Sequence, residues 1–156
     1  MPTLSINRHL SAPPAAIWRC WTEPALLKEW FTPAPVQTTE AQINPTPGGI
    51  FQVTMLIPEM GEMRLPAGCF LHTEPPHRLV WTNTLGPGYR PVAMGSGPTD
   101  FPFTAEIRLT PEGTGTRYVA TVTHATEADR DKHAAMGFEE GWGQATTQLE
   151  TLAATF

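Results

Sequence analysis

The sequence predicts an α+β domain in which a curved antiparallel sheet of about seven strands packs against one long C-terminal helix. Three observations carry this expectation. From Ala135 onward, apolar residues fall at Phe138, Trp142, Ala145, Leu149, Leu152 and Phe156, in steps of three and four that line one helical face. Most of the chain before that point reads as short strands punctuated by glycine and proline turns. Two short helical stretches interrupt this pattern only near the start. An apolar helix face must be covered, and a sheet bent across it is the natural cover, in a packing that often leaves a cavity.

Each element follows from its residues. Leu4, Ile6 and Leu10 alternate with Ser5, Asn7 and His9, the period of a half-buried strand, with Arg8 the polar intruder on the inner face. Pro13-Pro14 ends that strand and opens a short helix carrying Ile17, Trp18 and Trp21. Thr22 is placed to cap a second short helix, where Pro24 is tolerated in the first turn and Leu26, Leu27 and Trp30 supply the apolar side. Thr32-Pro33-Ala34-Pro35 breaks the helical pattern.

Strands at 36–44 and 50–57 form a hairpin over Pro45-Thr46-Pro47-Gly48-Gly49. A fourth strand at 63–74 stops at Pro75-Pro76, and a fifth covers 78–85. The sixth alternates most cleanly, with Phe101, Phe103, Ala105, Ile107 and Leu109 inward and Thr104, Glu106, Arg108 and Thr110 outward. The seventh, at 116–124, follows the turn Gly113-Thr114-Gly115. The segment 86–98 is too rich in glycine and proline for regular structure and reads either as a lid or partner site or as a mobile spacer. In the last helix, Gly137, Gly141 and Gly143 cost roughly 1 kcal/mol each relative to alanine. Close approach of helix to sheet is the simpler account, and a bend near a pocket mouth is the other.

Composition narrows the function classes. The 156 residues suit one domain, and 40% hydrophobic against 16% charged residues argues for a folded chain. A formal charge of −5 offers no broad basic surface for a phosphate backbone, so nucleic acid is not an expected partner. The apolar runs fall far short of the roughly 20 residues that span a bilayer, and the first residues lack a leader pattern, so a cytoplasmic protein with no membrane partner is expected. Cys20 and Cys69 are then expected to be buried, reduced thiols.

Several short motifs recur in a telling order. Ala12-Pro13 and Trp18 are followed by Thr22, Pro24, Leu27 and Trp30-Phe31, then by Pro47-Gly48-Gly49-Ile50-Phe51. Gly68 and Pro75-Pro76-His77-Arg78-Leu79-Val80-Trp81 come next, then Gly113-Thr114-Gly115-Thr116-Arg117 and the ending Gly141-Trp142 through Leu149 and Leu152. With the element order, this series resembles the helix-grip fold of the START-like (SRPBCC) superfamily, most closely the branch related to the activator of a heat-shock chaperone ATPase. The resemblance implies the fold and a cavity between sheet and helix. It implies an activity far less, since the superfamily includes lipid carriers, hormone receptors, polyketide cyclases and chaperone regulators.

Aromatic and thioether side chains are the first candidates to line such a cavity: Trp30, Phe51, Met55, Phe70, Trp81 and Phe103 from the first part of the chain. Tyr118, His124, Met136, Phe138 and Trp142 join them from the last two elements. The same residues would also make an ordinary core. His124 shares a strand face with Tyr118, Ala120 and Val122 and so points inward, either to hold a ligand carbonyl or move a proton, or simply to bond loop backbone. His72 has apolar neighbours on both faces and is not assigned a side. Arg8 reads as a ligand-carboxylate anchor or as half of an ion pair with a structural glutamate.

Glu127, Asp129, Asp131, Glu139 and Glu140 sit around the start of the last helix, where negative charge complements the helix dipole. His72, His77, His124 and His133 lack the close spacing of a zinc site, and no nucleophile elbow, phosphate loop or Cys-x-x-Cys pair is present. No metal or cofactor is expected. The leading expectation is a binding protein for a small apolar or amphipathic molecule. The alternatives are a cofactor-independent cyclase or hydrolase using His124 with Arg8 or Tyr118, and a chaperone-associated regulator acting through its surface. Tyr89 and Met94 suit a homodimer contact.

Overall fold

β1 (Thr3–Leu10) turns Ile6 and Leu10 into the core and leaves Ser5, Asn7 and His9 outside, as its alternation requires. In the computed structural model, which describes residues 1–95, 97 and 100–156, the chain next forms α1 (Pro14–Thr22) and α2 (Pro24–Leu27). Both helices begin with a proline, whose missing N–H would have no intrahelical partner there. Thr22 does not cap α2 as expected. Its hydroxyl donates back to the Trp18 carbonyl at 2.8 Å, and Glu23 takes the cap position. Trp30 then donates its indole N–H to the Cys20 carbonyl at 2.9 Å, fastening the segment after α2 onto α1.

The strands that follow are β2 (Gln37–Ile43), β3 (Ile50–Ile57), β4 (Gly61–Arg64), β5 (Gly68–Glu74) and β6 (Arg78–Thr82). After them come β7 (Leu85–Gly86), β8 (Arg90–Pro91), β9 (Phe103–Glu112) and β10 (Gly115–His124). The main sheet runs β1-β10-β9-β6-β5-β3-β2 and is antiparallel throughout, with β4 paired to β3 off that path. The single strand expected at 63–74 is therefore two. Leu65-Pro66-Ala67 separates them, because Pro66 has no N–H to give a ladder. β3 pairs with β5 at Ile50 and Phe51, and with β4 from Thr54 to Ile57.

The segment expected to be irregular after β6 holds a small hairpin of β7 and β8 around a 3-10 turn at Pro87–Tyr89. It docks on the β2–β3 turn: the Gly88 N–H donates to the Gly48 carbonyl at 2.8 Å, and the Tyr89 ring lies over Gly48. Tyr89 is exposed and Met94 half-buried. Ser96 and Pro98 of the expected loop, and Thr99 after it, lie outside the described residues.

The expected single C-terminal helix is also two, α3 (Glu127–Ala135) and α4 (Phe138–Ala153). Gly137 between them has φ 89°, a left-handed conformation that only glycine adopts without strain, so the bend, rather than close packing, explains this glycine. α4 packs on α1 and β1 and buries Phe138, Ala145, Thr146, Leu149 and Ala153. The ends of the expected apolar stripe, Ala135 and Phe156, are exposed. Gly143 is where close approach matters, because a Cβ there would stand 3.1 Å from Arg8 Nη2. Cys20 and Cys69 are buried and unpaired, and burial pushes the Cys20 thiol up to about 11.

Candidate functional site

The inward faces of the sheet and of α4 assemble one chain of aromatic rings. Trp30 meets Trp21 edge-on at 5.0 Å, and Trp21 and Phe31 lead on to Phe51. Phe51 is stacked on Trp81 at 4.4 Å and meets Phe70 at 5.6 Å. Trp81 leads to Phe103 at 5.4 Å, and beyond Phe103 the rings of His124 and His133 join the chain. His133 meets Phe138 at 5.1 Å, and Phe138 stacks on Trp142 at 5.0 Å. Strand parity explains this line: Phe51, Trp81 and Phe103 come from β3, β6 and β9 and face the same side. Edge-to-face and offset pairs of this kind are the favoured aromatic geometries.

Within this apolar interior three polar features stand out. The first is the Trp81 indole N–H, buried without a hydrogen-bond partner among the described residues. The second is His124, 4% exposed, whose Nδ1 lies 3.0 Å from the Pro2 carbonyl and whose Nε2 lies 2.9 Å from His133 Nδ1. A carbonyl only accepts, so Nδ1 of His124 carries a proton, and in the neutral ring Nε2 is then the acceptor. His133 Nδ1 must then be the donor to it. Burial, followed by the neighbouring His124, holds His133 down at about 4, so the His133 ring is neutral near pH 7. The third is Tyr118, 1% exposed, whose hydroxyl accepts the Trp21 indole N–H at 3.2 Å and whose acidity burial suppresses further.

Arg8 does not form the ion pair with a structural glutamate that was one of its two expected roles. Its guanidinium donates to the Gly143 carbonyl and, at 2.9 Å, to the Thr147 hydroxyl, so it clamps β1 to α4 without a glutamate partner among the described residues. The missing Cβ at Gly143 is what lets the guanidinium approach. His124, Tyr118 and Arg8 thus spend their hydrogen bonds on different partners.

Of the side chains expected to line a cavity, Trp30, Phe51, Phe70, Trp81, Phe103, His124, Phe138 and Trp142 lie in the ring chain, and Tyr118 bonds to it. Met55 is half-buried and outside the main core cluster. Met136 is 53% exposed, because it follows α3 on the solvent side of the break at Gly137. His72 also faces outward, with Glu74 at 3.4 Å. His133, Phe101 and Phe31 belong to the site and were not singled out for it, whereas Trp21 belongs to the same aromatic inventory as the expected lining residues. A usable signal existed for His133: α3 has no large apolar residue, so an uncharged imidazole is its best candidate to face inward. Among the described residues no group of three His, Cys, Asp or Glu could hold a metal ion.

Among the described residues, one surface hollow of about 300 Å³ is lined by Thr32, Val36, Thr38 and Gln148 among others, and another of about 170 Å³ by His77, Arg78 and Arg108 among others. Neither is lined by a residue of the ring chain.

A sheet curled around a C-terminal helix, with an aromatic interior between them, defines a START-like helix-grip protein. The sequence model of the family described as "Activator of Hsp90 ATPase homolog 1-like protein" matches residues 11–154, and the chain belongs to that family. Protein NE0264 from Nitrosomonas europaea is similar in structure with a TM-score of 0.90 and 40% identity, over 98% of this chain and 94% of that one. A protein from Rhodobacter sphaeroides is similar at TM-score 0.81 and 26% identity, over 99% and 94% of the two chains. A protein from Chromobacterium violaceum shares the fold at TM-score 0.75 and 22% identity, over 97% and 96%. No curated protein matches the chain. Among the described residues no helix is long and apolar enough to cross a membrane.

Proposed function

We infer that this protein binds a small, mostly apolar molecule in the aromatic interior between sheet and α4, the molecule offering one hydrogen-bond acceptor to Trp81. The observation that carries the reading is the buried, unpartnered Trp81 indole N–H. Leaving a buried donor unpaired costs about 1–3 kcal/mol, and such orphans are rare enough to call for a reason. A ligand carbonyl or ether oxygen would supply the missing acceptor while its apolar body takes the place of packed rings. Phe51 on one side and Phe103 on the other already hold the indole in position.

The test is a thermal-shift screen of small aromatic ketones and lactones, followed by the nitrogen-bound proton resonance of the Trp81 indole. Binding in the proposed mode moves that resonance downfield. Compounds that raise the melting temperature yet leave the Trp81 resonance in place would sink the reading.

A second reading is favoured by the His124–His133 pair, which sets two hydrogen-bonded imidazoles among aromatic rings. On that reading the protein is a cofactor-independent cyclase or hydrolase, and an apolar ester or polyketone incubated with it is converted. A chaperone-associated role, which the family description suggests, would instead lie on the surface. The exposed Leu56, Met60 and Met63 of the β3–β4 hairpin are its best support.

A further inference from the structure

α3 is attached to the rest of the fold in an unusual way. None of its residues is fully buried, and it is hinged to α4 by the left-handed Gly137. Its cap is local, with the Thr126 hydroxyl accepting the Asp129 N–H at 3.1 Å, and its Arg130 pairs with its own Asp131. Among the described residues, the one side-chain hydrogen bond from α3 to another element is that of His133 to His124.

The ring that makes this bond sits in an aromatic box. Phe101 lies 5.0 Å from it, Phe138 5.1 Å, Phe103 5.8 Å and Trp142 6.4 Å. The box therefore receives one flat ring with one polar edge. The polar edge has a defined sense for the neutral His124 ring, in which Nδ1 donates to Pro2 and Nε2 accepts. What occupies the box must be a donor.

We propose that the box of Phe101, Phe103, Phe138 and Trp142 is a binding site for a planar aromatic ring bearing a hydroxyl or azole N–H, and that His133 is its internal occupant, displaced with α3 when such a ring binds. The incoming donor takes over the His124 Nε2 lone pair that His133 Nδ1 holds in this structure. Displacement loses the same hydrogen bond that binding gains, so the exchange is set by ring packing and by the freedom that α3 recovers. The proposal rests on the reading that the interior takes a ligand, and it adds the donor end of that ligand and its way in.

The probes are phenol, which carries the donor, and anisole, the same ring with the donor methylated. The full chain near pH 7.5 is titrated with each while amide hydrogen exchange of α3 and α4 and the histidine ring nitrogen resonances are followed. Phenol is expected to saturate, to return His133 to the resonance of a solvent-exposed imidazole, and to speed exchange at the last amides of α3 at least tenfold. α4 stays protected. Anisole is expected to bind at least tenfold more weakly. His133→Ala removes the internal competitor and is expected to tighten phenol binding at least tenfold.

Equal binding of phenol and anisole, or phenol binding with α3 exchange unchanged, would overturn the proposal, and the second result needs no variant to fold. A molecule that shifts the Trp81 resonance while α3 stays protected would leave the binding reading standing and defeat this inference alone. Phenol displacing α3 with Trp81 unmoved would leave this inference standing and defeat only the Trp81 contact of the binding reading.

Discussion

Trp81→Phe separates a binding role from a packing role for the residue at the centre of the interior. Truncation removes roughly three ring atoms from a site stacked on Phe51 and edge-on to Phe103, which by the behaviour of core truncations costs about 1–3 kcal/mol. It also removes a buried donor that has no acceptor, and relief of that penalty returns about 1–3 kcal/mol. The two contributions oppose each other, so the net change in unfolding free energy is expected to lie within about 2 kcal/mol of zero. Urea denaturation followed by circular dichroism measures it, with an unchanged slope confirming that neither end state has altered. Ligand retention, in contrast, should fall. A destabilisation above about 3 kcal/mol would refute the reasoning, because it would mean that the indole N–H is satisfied in solution.

Three further outcomes follow from the geometry. Tyr118→Phe strips the acceptor from the buried Trp21 indole and should cost about 1–3 kcal/mol in the same urea assay, the opposite behaviour to Trp81→Phe. Gly137→Ala forces a side chain into the left-handed region at φ 89° and should cost about 1–2 kcal/mol, read as a lower melting temperature. For pH, His133 is held at about 4 against an ordinary value of 6.5, so its contribution is complete above about 6.5 and is lost as pH falls toward 4. That difference corresponds to at most about 3 kcal/mol, and solvent screening at a half-buried ring brings it nearer 1–2. His124 is the titratable group packed against it, and urea melts at pH 7 and pH 4.5, compared with those of His133→Gln, isolate the His133 share.

Much of the fold was legible because strands declare their faces by parity. The alternation in β9 put Ala105, Ile107 and Leu109 inside, and the same rule put His124 inside at the end of β10. Proline explains the two strands found where one was expected, since Pro66 interrupts the ladder between β4 and β5. The break at Gly137 was harder to read: a glycine inside a helical pattern costs only about 1 kcal/mol, and the periodic apolar residues continue across it. The partners of Arg8 and Tyr118 are fixed by contacts more than 90 positions away in the chain, which no local pattern encodes. His133 was missed for a related reason. Its value to the site comes from four aromatic rings on β9, on α4 and on the segment before β9, and its own helix shows no apolar stripe that would announce it.

The most direct measurement is native mass spectrometry of gently purified protein beside its Trp81→Phe variant, each compared with its denatured mass. The account predicts a reproducible small mass retained by the native protein, released on denaturation, and reduced or lost in the variant. An unadorned native mass that no small aromatic ketone, lactone or phenol alters would contradict it, and would leave the orphaned indole as a feature of the core alone.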